Sequence, residues 1–130
     1  MEPGQFNAPS DLVFDQDGCL YVTDTRNNRI QKLDPQGEFI LMFGKAGTKE
    51  GEFLTPRGIS IDHEQRVYVV DSDNNRVQVF DPEGQYLHFF YGPKILGGKL
   101  NGPYGITING NGKIFVADNQ NHRIMVFSLN

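Results

Sequence analysis

The sequence predicts an all-β protein, a β-propeller of short antiparallel strands, on three observations. First, a self-comparison finds a single 47-residue period through the chain: Pro9, Pro56 and Pro103 keep that step, and so do Asp24, Asp71 and Asp118. Asn27, Asn74 and Asn121 follow it, as do Arg29, Arg76 and Arg123, with no insertion or deletion between residues 4 and 127. Second, apolar residues within each period alternate with a period of two, and no stretch of roughly 10–12 residues has helical spacing. Third, four short runs per repeat at a period just above about 40 residues describe one propeller blade.

The first repeat sets out the elements in order. An apolar run at Asp11–Asp15 is closed by Gln16-Asp17-Gly18, expected as a two-residue hairpin turn. A second run, Cys19–Thr23, meets a polar corner at residues 24–28, where asparagines tolerate left-handed backbone and bond locally. A third run, Arg29–Leu33, ends at Asp34-Pro35-Gln36-Gly37, where proline presets φ and glycine accepts φ > 0. The fourth, Glu38–Phe43, ends at Gly44.

Composition agrees and excludes several classes. The 130 residues fit one domain, and 38% apolar with 22% charged residues is too apolar for a disordered chain. No apolar run approaches the roughly 20 residues needed to span a bilayer, and residues 1–20 lack a basic-then-apolar signal pattern. No membrane partner is expected, and the compartment is left open. Cys19 is the sole cysteine, which excludes an internal disulfide and a multi-thiolate metal site. A net charge of −4 argues against a surface built wholly for nucleic acid.

The repeat resembles the NHL family. The pattern reads Gly51, Phe53, Pro56, Gly58, Ile59, Asp62, Tyr68, Val69, Asp71, Asn74, Asn75, Arg76, Phe80, Asp81, Pro82 and Gly84, and the third copy carries Asn121-His122-Arg123. Asp11 departs from the pattern by replacing a glycine, and Gln65 replaces a turn glycine. The resemblance implies four-stranded antiparallel blades and a six-bladed ring. The chain, 1–130, is expected as a single half-propeller with repeats at 4–50, 51–97 and 98–130, the third lacking its outer strand. Propellers have about four to eight blades, so the expected partner is a second copy of the chain closing three blades onto three.

One face should hold the corners between second and third strands together with the connections between blades. It carries Arg26, Arg29, Lys45, Lys49, Arg57, Arg76, Lys94, Lys99 and Arg123, nine of the twelve basic residues. Arg26, Lys45, Lys49, Arg57, Tyr91, Lys94, Lys99 and Tyr104 are the candidates for a partner-binding face, since loops on a rigid scaffold carry function. The hairpin turns of the opposite face are acidic. Asp24/Arg29, Asp71/Arg76 and Asp118/Arg123 recur in every blade and read as staples of the blade rather than as a site, a carboxylate accepting loop amides and a guanidinium crossing back.

Metal and catalytic readings find little purchase. Asp15-x-Asp17-Gly18 lacks the third ligand pair and distal glutamate of a calcium loop, and His63, His88 and His122 occupy three different repeat positions. No cofactor, metal or catalytic residue is expected. The reading is a non-catalytic module binding a protein or peptide. One alternative is RNA binding on the basic face. Another, implied by propellers related to the family, is a metal-dependent lyase or lactonase with Asp11, Gly58 and Gly105 at the channel beside Ser10, Arg57 and Tyr104. A fragment of a longer propeller, natural or engineered, without a function of its own is the fourth.

Overall fold

The computed structural model describes residues 2–92 and 98–128, so Lys94 lies outside the described residues. β1 (Pro9–Phe14), β2 (Leu20–Asp24), β3 (Arg29–Leu33) and β4 (Phe39–Phe43) form one antiparallel sheet in chain order. β5 (Pro56–Ile61), β6 (Val67–Asp71), β7 (Arg76–Phe80) and β8 (Tyr86–Phe90) form the second. β9 (Ile106–Ile108), β10 (Lys113–Asp118) and β11 (Arg123–Ser128) form a third, three-stranded sheet. The described residues form a partial β-propeller of three blades. No helix among the described residues is long and apolar enough to cross a membrane.

Strand ends differ slightly from the periodicity. β1 begins at Pro9, because Pro9 pairs with Asp24 across an irregularity before Asp11. β2 runs on to Asp24, which sits in register with Arg29 on β3. Each corner between them is a three-residue 3-10 turn, followed by Asn28 (φ 51°), Asn75 (φ 55°) or His122 (φ 54°). These are left-handed positions that asparagine tolerates better than most residues.

The first hairpin has three loop residues, not two. Asp15 N–H donates to the Cys19 carbonyl at 2.9 Å, and Gly18 takes the left-handed position at φ +83°. A three-residue loop of this kind matches the twist of the flanking strands through a bulge at its last position. Asp15 Oδ1 accepts from the amides of Asp17 and Cys19, both at 2.9 Å, so its role is to cap its own turn. The same arrangement recurs at Asp34, Asp62, Asp81 and Asn109. Gln65 stands where Gly18 and Gly112 stand and adopts φ 65° without a glycine's freedom.

Two apolar cores lie between blades rather than within them. Tyr21 and Ile30 of the first blade pack with Phe53, Ile59, Val67, Val69 and Phe80 of the second. Tyr68, Val70, Val77 and Val79 pack in turn with Leu100, Ile114, Val116 and Met125 of the third. A blade therefore has two different apolar faces, and each needs its neighbour. At roughly 25 cal/mol per Å² of apolar surface removed from water, these junctions are the main source of cohesion.

Candidate functional site

The recurring acidic residues hold the connections between blades. Asp24 Oδ2 accepts from Arg29 Nε at 2.7 Å and Asn27 Nδ2 at 2.9 Å, while Oδ1 accepts from the amide of Asn7 at 2.7 Å. Asp71 repeats this with Arg76 (2.7 Å), Asn74 (2.9 Å) and the amide of Leu54 (2.8 Å). Asp118 does so with Arg123 (2.7 Å), Asn121 (2.9 Å) and the amide of Asn101 (2.8 Å). The guanidinium then reaches on: Arg29 donates to the carbonyls of Glu2 and Gln5, and Arg76 to those of Lys49 and Glu52.

Two further members of this network were not singled out from the sequence. Gln31 accepts from Gly4 N–H and donates to the Gln5 carbonyl, and Gln78 does the same with Gly51 and Glu52. Their own 47-residue spacing was the available signal. The third copy has Met125 there and loses the link.

Charge follows this geometry. Burial works against the ionised form of Asp24 and of Asp118. The amides, asparagines and guanidiniums donating to them outweigh it and hold both carboxyls below their ordinary value. Asp71 is enclosed more deeply, and there burial prevails and pushes the carboxyl up. Asp62, at the opposite end of the second blade, is opposed by burial but held down by Arg66 and by Tyr68 Oη at 2.9 Å.

The corners and the inter-blade connections do meet on one face. Arg26 N–H donates to the Asn7 carbonyl, Asp73 N–H to that of Leu54 and Gln120 N–H to that of Asn101. Asn28 Oδ1 accepts from Thr55 N–H (2.9 Å) and Asn75 Oδ1 from Gly102 N–H (2.8 Å), tying each corner to the next blade. On this face Lys45 is exposed and 3.7 Å from Glu52, and Lys99 Nζ lies 5.1 Å from the centre of the Tyr91 ring. Tyr91 in turn stacks on Phe89 at 5.8 Å. Lys49 contributes its carbonyl to Arg76. Arg29 and Arg76 are buried in the staples, and Arg123 is partly so.

Arg26, Arg57 and Tyr104 come together around two adjoining clefts. At the start of the inner strands a cleft of about 360 Å³ is lined by Ser10, Asp11, Arg57, Gly58, Tyr104 and Gly105. Between the first and second blades lies a second cleft of about 410 Å³, to which Arg26 and Arg57 both contribute. The Arg57 guanidinium sits 4.5 Å from the centre of the Tyr104 ring. Its Nε is shut off from solvent and has no hydrogen-bond partner among the described residues.

Asp11, which replaces a glycine of the repeat, has a definite local task. Oδ1 accepts from its neighbour's amide at Leu12 (2.9 Å), and Oδ2 reaches across to the Ile59 amide of the second blade (3.2 Å). At the next junction Gly58 does without a side chain. A Cβ there would lie 2.5 Å from the Tyr104 carbonyl. At the far end of the inner strands the turns of all three blades converge on a cleft of about 370 Å³ that includes Asp15, Asp62, His63 and Asn109. Among the described residues no three His, Cys, Asp or Glu side chains are grouped to hold a metal ion.

Comparison with known proteins places this architecture. Residues 7–90 match the model of a 6-bladed beta-propeller family, DUF5128, and residues 100–127 match the NHL repeat. Over 47 residues the chain is 38% identical to the protein brain tumor of Drosophila melanogaster, a match covering 36% of this chain and 4% of that protein. A structural genomics protein of unknown function from Bacteroides thetaiotaomicron superposes with a TM-score of 0.75 at 21% identity, covering 92% of this chain and 34% of that one. A gluconolactonase from Xanthomonas campestris superposes with a TM-score of 0.68 at 18% identity, covering 88% of this chain and 36% of that one. At these identities the superpositions establish the fold. The chain spans well under half the length of each of these proteins.

Proposed function

Since the chain belongs to the 6-bladed beta-propeller family and carries NHL repeats, we propose that it is a non-catalytic binding platform whose ring is completed by a second copy of itself. Blade packing supports the closure. Ile59 is 3% exposed at the first junction, whereas its counterpart Leu12, on the free face of the first blade, is 57% exposed. Val77 is fully buried at the second junction, whereas its counterpart Ile124, on the free face of the third blade, is 62% exposed. The two free faces thus carry the counterparts of residues buried at the internal junctions, while the described part of the third blade has no fourth strand to match those whose Phe43 and Phe90 pack there. Contiguous exposed apolar surface of this kind marks an association site.

Backbone conformation at the free face points the same way. Ala8 has φ 53°, matching Thr55 and Gly102 at φ 57°, the positions whose amides are held by the preceding blade's Asn28 and Asn75. A second copy presenting its His122 corner would meet Ala8 already in that shape. Two chains joined head-to-tail about a two-fold axis give six blades.

The observation that carries the binding role is the division of labour among polar side chains. Those that recur in every blade are engaged in stapling connections, and the channel carboxylate of Asp11 accepts backbone amides. Those that break the repeat, such as Arg57 and Lys99, lie on the connection face among exposed tyrosines. A rigid scaffold with variable side chains on its loops suits recognition of a protein or peptide. Selection of a displayed peptide library on the immobilised chain tests this. Peptides whose affinity falls on Lys45→Ala, Lys49→Ala or Lys99→Ala support the reading. Peptides insensitive to all three variants contradict it.

RNA on the same face is a second reading, favoured by one feature: Lys99 beside the Tyr91–Phe89 stack offers a cation and an aromatic surface together. It predicts RNA affinity that falls steeply with salt.

A further inference from the structure

The cleft between the first and second blades has the composition of an oxyanion site. Its two cations stand at positions the blade does not require. Residues 26, 73 and 120 read Arg, Asp and Gln, and residues 10, 57 and 104 read Ser, Arg and Tyr. Only at this junction do the two positions both supply arginine. No carboxylate lines the cleft. Neither guanidinium lies within ion-pair distance of one among the described residues.

Arg57 is held ready rather than satisfied. The Tyr104 ring centre lies 4.5 Å from the guanidinium, and the buried Nε donates to nothing among the described residues. An isolated donor of this kind is unfavourable unless something accepts from the group. Asn28 lines the cleft, and its Oδ1 accepts from Thr55 N–H, which leaves Nδ2 as the donor end of the amide. The nearby hydroxyls have other tasks. Thr25 donates to the Pro56 carbonyl, and Thr55 donates to Asp73, whose carboxylate is outside the lining.

We propose that this cleft binds a phosphate monoester group, with Arg26 and Arg57 as its two charge-assisted partners and Asn28 Nδ2 as a neutral donor. Two guanidiniums match the charge of a phosphate monoester, about −1.5 to −2 near neutral pH, better than the single charge of a carboxylate. The arginine fork also donates to two phosphate oxygens at once. The inference rests on reading the connection face as the binding face. It does not depend on ring closure, because every lining residue belongs to the first two blades of one chain.

Titration of the isotopically labelled full chain with inorganic phosphate at constant ionic strength, followed by amide and arginine side-chain NMR, tests it. Saturable shifts are expected at Asn28, Thr55 and Arg57 and at the Arg26 and Arg57 side chains. Arg57→Gln and Arg26→Gln should each weaken binding about tenfold, the loss expected of one charge-assisted hydrogen bond. Lys113→Gln, on the opposite face, should leave it unchanged. Because Arg26 is exposed, that variant keeps the fold intact even if Arg57→Gln does not. O-phosphoserine binding as tightly as phosphate would support a monoester ligand. Acetate binding equally well, shifts that never saturate, or affinity unaffected by either arginine variant would overturn the proposal. A negative result here leaves the mass of the assembled ring, and the platform reading, untouched.

Discussion

Removing the carboxylate of Asp71 leaves the Arg76 guanidinium buried without its counter-charge, and four donors, from Leu54, Asn74, Arg76 and Gln78, without their acceptor. Breaking a buried pair from one side is among the more damaging single changes, at about 3–5 kcal/mol. Asp71→Ala is expected in that range, measured by urea unfolding. Asp118→Ala should cost clearly less, because the Arg123 side chain is 31% exposed and can turn to water. The same carboxylates set the response to acid. Asp24, Asp62 and Asp118 have folded-state pKa values below the ordinary 3.8, so they stabilise the fold above that value. That contribution is lost as pH falls through the lowered values. Asp71, pushed up by burial, works in the opposite sense. Urea midpoints should therefore fall from pH 5 toward pH 2, and Asp118→Asn should show a shallower fall than the unmodified chain.

The backbones of the second and third blades approach closely at the starts of their inner strands. Gly58 brings β5 against the start of the third blade, and a methyl group there would lie 2.5 Å from the Tyr104 carbonyl and 3.1 Å from Gly105 Cα. Gly58→Ala should cost about 1–3 kcal/mol, the range for overpacking against a backbone that cannot retreat, read as a lower urea midpoint. The third corner offers an opposite test. His122 stands where Asn28 and Asn75 reach the following blade, so His122→Asn should strengthen self-association, measured as a lower dissociation constant by analytical ultracentrifugation.

Much of this was legible in the chain. Period-two alternation located eleven strands, missing only ends such as Pro9 and Asp24, where pairing across a corner outlasts the apolar pattern. The length of the first hairpin was not legible, since Gln16-Asp17-Gly18 fits either turn until Asp15 is seen accepting the Cys19 amide. The cleft at Arg57 was only half legible. Arg26, Arg57 and Tyr104 stood out as residue types, but the contact of the Arg57 guanidinium with a ring 47 residues away in the next blade exists only once the chain is folded. Thr55 and Asn28 gave no signal of lining it.

At the scale of the molecule, the proposed ring closure requires the apolar faces at Leu12 and Ile124, both exposed in the single chain, to meet across a two-fold axis. Charging either should weaken closure without touching the internal junctions. Leu12→Asp or Ile124→Asp is expected to weaken self-association about tenfold or more, given roughly 1.5–3 kcal/mol for burying such a side chain and 1.4 kcal/mol per tenfold. Glu83→Gln, an exposed change in the turn between β7 and β8 of the middle blade, should not. The most direct measurement is absolute mass by light scattering after size exclusion, across a concentration series. Ring closure predicts a species near twice 14.7 kDa that gives way to monomer on dilution and does so at higher concentration in the Leu12→Asp and Ile124→Asp variants. A single compact species at 14.7 kDa throughout the series would contradict ring closure by a second copy.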